Sequence, residues 1–320
     1  MISRRTIGIS LIIVSAICLV VYLVFHSQII HIMEIYISPD GEIRADGVRQ
    51  LDYLVFLIFF FVVILGAGIA KSEDEDWRRR LSHVFFTDPF CNNPNALFSP
   101  KAFLLVSTIL GLFLIVHIRL YDPDSRIFAI LYLEDGVFES STPIFMLASI
   151  VLLSLSIPRL RKDPQINKYR NLLSLVYLFL ILVFFLNAME EISWGQRIFG
   201  WSTPQSFEGN VQDETNLHNY FNQYYLLFYR LLACFPVVVF LSIWMEMRQR
   251  YLVFTRTVLP HPSLLGLSLL IAVVSFVWFE EQELLEELFA VFFLFYSLRI
   301  YLCFRSRYKG AGSDKLPTRT

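Results

Sequence analysis

The chain has 320 residues, of which 56% are hydrophobic and 16% are aromatic, and its mean hydropathy is +0.56. A water-soluble domain of this length does not carry so much apolar surface, so the composition predicts a membrane protein. The formal net charge is −1, and there is no basic stretch with interleaved aromatic residues, which argues against nucleic acid as a partner.

Apolar stretches close to the length of about 20 residues that a membrane-spanning helix needs recur along the chain. They lie near residues 6–25, 51–70, 102–118, 141–158, 171–189, 223–245, 263–279 and 288–304. The predicted fold is therefore an all-α bundle of about eight transmembrane helices. We expect a single domain over residues 1–304 and a disordered tail over 305–320. The segment SEDEDWRRRLSHVFF predicts a short helix on the membrane surface.

Basic residues predict the orientation of these spans, because Lys and Arg in short connections are retained on the cytoplasmic side. They are concentrated near the amino terminus, in the second, fourth and sixth connections, and in the tail. Both termini are therefore predicted to be cytoplasmic. Arg299, near the end of the last span, is expected to extend its side chain towards that side.

The cysteines are distributed so that no pair shares an oxidising compartment under this topology. Three of them lie in predicted spans and one lies in a predicted cytoplasmic connection, namely Cys18, Cys234 and Cys303, and Cys91. We therefore expect neither a disulfide nor a structural zinc site.

Three acidic stretches, far apart in sequence, fall on the face opposite the basic connections. They are YLEDGVFESSTP with Glu134 and Glu139, MEEISWGQRIFGWSTP with Glu190 followed by NVQDETNLHN with His218, and WFEEQELLEE with Glu283 and Glu287. A carboxylate at mid-bilayer costs about 2.5–3.5 kcal/mol, so a cluster requires compensation. The candidates are Arg197, Arg230, a bound metal ion and protons on the carboxylates.

The fifth connection predicts a continuation of the helix that precedes it. If EEISWGQRIFG is helical, spacings of three and four place on one face Glu190, Ser193, Trp194 and Arg197. The glycines and the proline that follow predict that the helix ends within GWSTP.

Each stretch also has a simpler structural interpretation. The hydroxyl residues before Pro143 are typical of a helix start; they are Ser140, Ser141 and Thr142. The polar run around His218 is typical of a solvated loop that caps the next helix, and the glutamates of the seventh connection are typical of a solvated hairpin.

The stretch EEISWGQRIFGW, followed by NVQDETNLHN, resembles a family of uncharacterised bacterial multi-pass membrane proteins. The resemblance includes YLEDGVFES and so covers residues 130–220; it implies a fold and a membrane location but no reaction. EDGVFESST is also similar to a segment of ceramidase-like membrane hydrolases, which bind zinc through three histidines, two of them four residues apart. The chain has no His-x-x-x-His, so that activity is not implied.

Three functions in the cell inner membrane remain open, each with membrane lipids as partners. The first is an enzyme acting on a lipid or lipid-linked substrate at the extracytoplasmic face, with catalytic groups drawn from Glu134, Glu139, Glu190, Arg197 and His218. A divalent metal would suit a ligand set of carboxylates and imidazole, here Glu190, His218, Glu283 and Glu287. The second is a proton- or cation-coupled transporter that uses the carboxylates. The third is a non-catalytic assembly or sensor protein.

Overall fold

The structure, a computed structural model, describes residues 3–36, 45–86, 99–120, 137–204, 215, 231, 234–247, 253–277 and 282–313, some helix residues by their backbone only. The described residues form helices and turns, without a strand. By its contacts the chain divides into two compact units, Met1–Ser82 with Phe276–Trp278 and His83–Ser275 with Phe279–Thr320. This division groups helices by their contacts and does not test whether they form one domain. The single domain over residues 1–304 therefore stays a prediction.

The first unit is built on a pair of long helices. Its elements are α1 (Arg4–Val24), α2 (His26–Tyr36), α3 (Ala45–Lys71) and the part of α4 (Glu75–Phe86) up to Ser82. The helix α4 confirms that SEDEDWRRRLSHVFF is helical. Its position on a membrane surface stays a prediction.

Glycines bring the backbones of α1 and α3 into direct contact. A Cβ atom added at Gly8 would lie 2.3 Å from the Gly66 carbonyl oxygen and 2.4 Å from the Ala70 nitrogen. Membrane helices associate through small residues in this way, because no hydrophobic driving force acts between helices in lipid. Gly8, Gly66 and Ala70 therefore set the separation of the two helices.

Polar side chains fix both ends of this helix pair. At the start of α1, the Glu73 carboxylate accepts from the Arg4 amide at 2.6 Å, which satisfies an N–H that the helix itself leaves unpaired. At the other end, Asp52 of α3 accepts from the Tyr22 hydroxyl and pairs with His26 Nε2 at 2.8 Å. These contacts fix the register of α1 on α3.

The second unit contains the helices that carry the candidate site. They are α5 (Pro100–Leu120), α6 (Val137–Leu160), α7 (Arg170–Glu191), α8 (Gln196–Phe199), α9 (Phe235–Met247), α10 (Val253–Val258), α11 (Leu265–Val277) and α12 (Gln282–Ser313). Short 3₁₀ segments link several of them, at Pro164–Tyr169, Ser193–Gly195 and Pro262–Leu264.

The helix α12 forms the centre of this unit. Of its apolar window within Leu284–Ser306, 72% is buried, against 28% for the window around α7 and 33% for that in α6. Its aromatic residues pack on those of other helices, with ring centroids 4.7 Å apart for both Phe184–Phe293 and Phe235–Phe292. A helix that is apolar on all sides belongs inside a bundle, which is where α12 lies.

Three buried side chains hold the end of the short helix α10. The Tyr177 hydroxyl donates to the Thr257 carbonyl at 2.9 Å, the Tyr296 hydroxyl donates to the Val258 carbonyl at 2.9 Å, and Arg299 donates to the Arg256 carbonyl at 3.2 Å. Arg299 is 6% exposed, so its guanidinium is held inside the protein; the expectation that its side chain extends towards the cytoplasmic side stays a prediction. A cation is favourable at the carbonyl end of a helix, and α10 provides such a carbonyl end inside the protein.

Every apolar segment predicted from the sequence overlaps one of these helices. Among the described residues, five helices are long and apolar enough to cross a membrane: Arg4–Val24, Ser140–Leu160, Pro164–Glu191, Phe254–Ser275 and Leu284–Ser306. Three shorter apolar helices coincide with the other predicted spans, at Ile58–Lys71, Pro100–Ile115 and Phe235–Met245. The count of eight spans and the cytoplasmic termini stay predictions.

Two features of the carboxyl-terminal region differ from expectation. The helix α12 continues to Ser313, so residues 305–313, assigned to the tail from the sequence, are helical. Cys303 is disulfide-bonded, with its partner outside the described residues, so the expectation of no disulfide is wrong. The position of a cysteine along the chain does not reveal which thiols come within the roughly 4–7 Å Cα separation that a disulfide needs.

Candidate functional site

A buried carboxylate on α12 is held by two hydroxyl groups from α6. Glu287 is 3% exposed, and its Oε2 atom accepts from Ser141 Oγ at 2.8 Å and from Thr142 Oγ1 at 2.9 Å. Among the described residues these are its hydrogen-bond partners. A carboxylate out of water needs such donors, because an unsatisfied one costs several kcal/mol. We call Glu287, Ser141 and Thr142 the carboxylate clamp.

The clamp changes the interpretation of two sequence stretches. Helix α6 begins at Val137, so Ser141 and Thr142 lie within the helix and bind another helix instead of capping their own. Glu287 is not part of a solvated hairpin, since α12 begins at Gln282 and buries it. Both differences from the sequence interpretation have one cause: the hydroxyl groups of α6 and the carboxylate of α12 satisfy each other's hydrogen bonds.

The end of α7 lies at the same level as the clamp. Helices α6 and α12 run in the same direction, because their starts meet at Ser141 and Glu287 and, further along, Arg159 lies over the Tyr301 ring at 4.8 Å. Helix α7 is antiparallel to α12 and touches it where Phe184 meets Phe293.

From that contact, Glu190 lies six residues along α7 and Glu287 six residues back along α12. Six residues of helix span about 9 Å at 1.5 Å per residue. Because the two helices are antiparallel, these distances run in the same direction from the contact, so both glutamates lie at one level. Their side chains belong to the same end of the unit.

The motif after α7 forms a strained turn. Helix α7 ends at Glu191, and the next residues include Ser193 at φ 46°, Trp194 at φ 54° and Gly195 at φ 86°. The predicted helical continuation is therefore interrupted at this turn, while the short helix α8 that follows is capped by Gly200, within the predicted end GWSTP. Left-handed conformation costs a residue other than glycine about 1–3 kcal/mol and persists only where the surroundings enforce it, often at functional sites.

Side-chain hydrogen bonds hold this turn in place. Trp194 Nε1 donates to Glu190 Oε1 at 2.7 Å, so these two side chains, predicted on one helix face, meet although the backbone between them is not a regular helix. Gln196 joins three segments, since its Nε2 donates to Thr203 Oγ1 at 2.8 Å and its Oε1 accepts from the Thr215 amide at 2.6 Å. Thr215, the residue before NLHN, therefore lies beside the start of α8.

The predicted site residues fall into three groups. Glu190 and Glu287 have described side chains and lie at one level, as shown above. Glu139, Arg197 and Glu283 are described by their backbone only, at the start of α6, in α8 and at the start of α12. Glu134 and His218 lie outside the described residues.

A metal site was predicted from Glu190, His218, Glu283 and Glu287. Within the described part of the chain, no three His, Cys, Asp or Glu residues are grouped to hold a metal ion. The two hydroxyl donors on Glu287 Oε2 occupy the two lone-pair positions of that oxygen. Any metal would have to use the other carboxylate oxygen.

Sequence reasoning missed the partners that make this site. Ser141 and Thr142 were interpreted as caps, although they contact a residue about 145 positions later. Gln196 carried no role. The available signal was a run of three hydroxyl residues at the start of an apolar span, because hydroxyl groups inside a bundle bind across helices.

The apolar helices and the buried polar contacts between them are those of an integral membrane protein of the helical, multi-pass class. No family model, no curated protein and no solved structure matches the chain.

Proposed function

We propose that the protein is an integral membrane enzyme that cleaves or transfers the ester of a lipid or lipid-linked substrate, with Ser141 as nucleophile and Glu287 as its base. The observation that carries the proposal is the 2.8 Å hydrogen bond from the Ser141 hydroxyl to the Glu287 carboxylate. A hydroxyl within about 2.6–3.2 Å of a base is the arrangement of an activated nucleophile.

The two hydroxyl groups of the clamp have different surroundings, which suits different roles. Thr142 is 3% exposed and holds the carboxylate in one orientation. Ser141 is partly exposed, so a substrate would reach it more readily than Thr142. Carboxylate bases are more effective when water is excluded, and Glu287 is buried among apolar helices.

The reaction uses one proton twice. As Ser141 Oγ forms a bond to the acyl carbon, its proton passes to Glu287. The ester C–O bond then breaks, and the proton on Glu287 passes to the leaving alkoxide, which gives the free alcohol. Water or a second alcohol reverses these steps and releases the acyl group from Ser141.

The remaining predicted residues complete this proposal. Glu190, and with it Glu134, Glu139, Arg197, Glu283 and His218, would surround the polar part of the substrate. The site would lie at the extracytoplasmic face of the inner membrane, as the positive-inside pattern predicts. A divalent ion is not needed for the step above, and the hydroxyl groups on Glu287 favour proton transfer over metal binding.

The test is covalent labelling of the protein in membranes with a fluorophosphonate probe, which forms a serine Oγ–P bond and releases fluoride. We expect labelling of the natural protein, and a loss of about tenfold or more in the Ser141→Ala variant. The matched control is Ser140→Ala, because Ser140 is the adjacent residue and is exposed. It should label as the natural protein does.

Glu287→Gln separates chemistry from structure. The amide oxygen still accepts the two hydroxyl hydrogen bonds but does not take up a proton under these conditions, so the variant should fold and fail to label. Equal labelling of the Ser141→Ala variant, or no labelling of folded natural protein, would leave the clamp as a structural contact of an assembly protein. Metal analysis of natural protein and the Glu190→Gln variant tests the ion separately.

A further inference from the structure

Two exposed aromatic side chains form a stacked pair just after the strained turn. Phe199 is 73% exposed and Trp201 is 44% exposed, and their rings lie 5.4 Å apart at 20°. Exposed rings of this size are unfavourable in water, while Trp and other aromatic residues are enriched where a membrane helix meets the headgroups.

The pair rests on the left-handed glycine of the turn. A Cβ atom at Gly195 would lie 3.0 Å from Phe199 Cδ2 and 3.5 Å from Trp201 Cη2. Gly200, also left-handed at φ 67°, reverses the chain so that Trp201 reaches Phe199. The turn therefore holds both rings beside Gly195, four residues after the end of α7.

The position of the pair relative to the membrane follows from α7. This helix is part of a candidate span that ends at Glu191, and apolar side chains stay exposed along its length, as lipid contact requires: Leu172, Leu175, Leu178, Phe179, Leu182, Phe185 and Leu186. The headgroup region adds only about 5–8 Å beyond the hydrocarbon core on each side. A turn folded back onto the helix end lies in that layer.

We infer that Phe199 and Trp201 form an aromatic anchor in the headgroup region of the bilayer, next to the level of Glu190 and Glu287. If the anchor lies there, the substrate enters the site from the membrane and is itself a membrane lipid. This consequence, unlike the anchor, rests on the proposed function. Gln196, on the same turn, makes the hydrogen bonds to Thr203 and Thr215. The anchor thus fixes the polar segments that follow α7 at the lipid surface.

Fluorescence quenching of Trp201 tests the anchor. A variant that keeps Trp201 as its only tryptophan is placed in phosphatidylcholine vesicles brominated either near the headgroup or near the chain ends. Headgroup-proximal bromine should reduce the emission about twofold, chain-end bromine should reduce it less, and aqueous iodide should have little effect. The matched control is a second variant that keeps Trp194 as its only tryptophan; Trp194 is hydrogen-bonded to Glu190, and its emission should respond less to the bromolipids.

Trp201→Phe in the otherwise natural protein provides the same information without the other substitutions, because the quenching that it removes belongs to Trp201. Strong quenching by iodide would place the pair in water, and no quenching by either agent would place it under protein; each result overturns the inference. Labelling of Ser141 is measured independently, so failure of the anchor and failure of the proposed enzyme are distinguishable.

Discussion

The carboxylate clamp predicts a specific loss of stability in the Thr142→Val variant. Valine keeps the shape of threonine but removes the donor 2.9 Å from Glu287 Oε2. A hydrogen bond to a charged group contributes about 1.5–3 kcal/mol in water-soluble proteins, whereas hydrogen bonds between membrane helices average about 0.6 and reach about 1.7 kcal/mol. Since both partners are 3% exposed, we expect a loss near the upper membrane value, about 1.5 kcal/mol.

Ser149→Ala is the matched control on the same helix. The Ser149 hydroxyl is fully buried but bonds the Phe145 carbonyl of its own helix at 2.8 Å, and that carbonyl keeps its backbone partner. Removing the hydroxyl should therefore cost less than about 0.5 kcal/mol. The measurement is reversible unfolding in mixed micelles, followed by circular dichroism.

A double-mutant cycle tests the reasoning directly. In the Glu287→Gln background the hydrogen bond is no longer charge-assisted, so Thr142→Val should cost about half as much as in the natural protein. Two results would contradict the clamp: a Thr142→Val loss equal to that of Ser149→Ala, or the same loss in both backgrounds.

Two further predictions concern glycines. Gly8→Ala should destabilise the first unit by about 1–3 kcal/mol, because its Cβ atom would meet the Gly66 carbonyl oxygen at 2.3 Å. The control Gly68→Ala should be harmless, since that position has open space around it. Equal thermal stability of the two variants would refute this packing. Gly195→Ala should lower the melting temperature, because φ is 86° at this position and Phe199 lies 3.0 Å from the new Cβ atom. Ser193→Gly should leave the melting temperature unchanged or raise it. A higher melting temperature for Gly195→Ala than for Ser193→Gly would exclude the strained turn.

The sequence was sufficient for the helical fold, since apolar periodicity and length are local properties. It also placed Glu190 and Glu287 at helix ends, and Glu190 and Trp194 on one face. It did not predict that Glu287 would be buried, because that depends on the hydroxyl groups of α6, a contact about 145 residues away. It also did not predict the acceptor of Arg299, since that carbonyl belongs to Arg256 on α10.

The strained turn was also beyond local reasoning. The spacing of EEISWGQRIFG favours a helix, whereas Ser193 and Trp194 are left-handed. Such a conflict between local preference and observed backbone is expected where a structure is shaped for a function.

The burial of α12 has a consequence for the order of assembly. A ribosome completes α6 and α7 well before α12, which is the last helix described. Until then, Ser141 and Thr142 have no carboxylate to bind and would bond to carbonyl groups of their own helix. The core of the second unit is thus finished by its final segment, so truncation before α12 would remove the centre of the unit and not its edge.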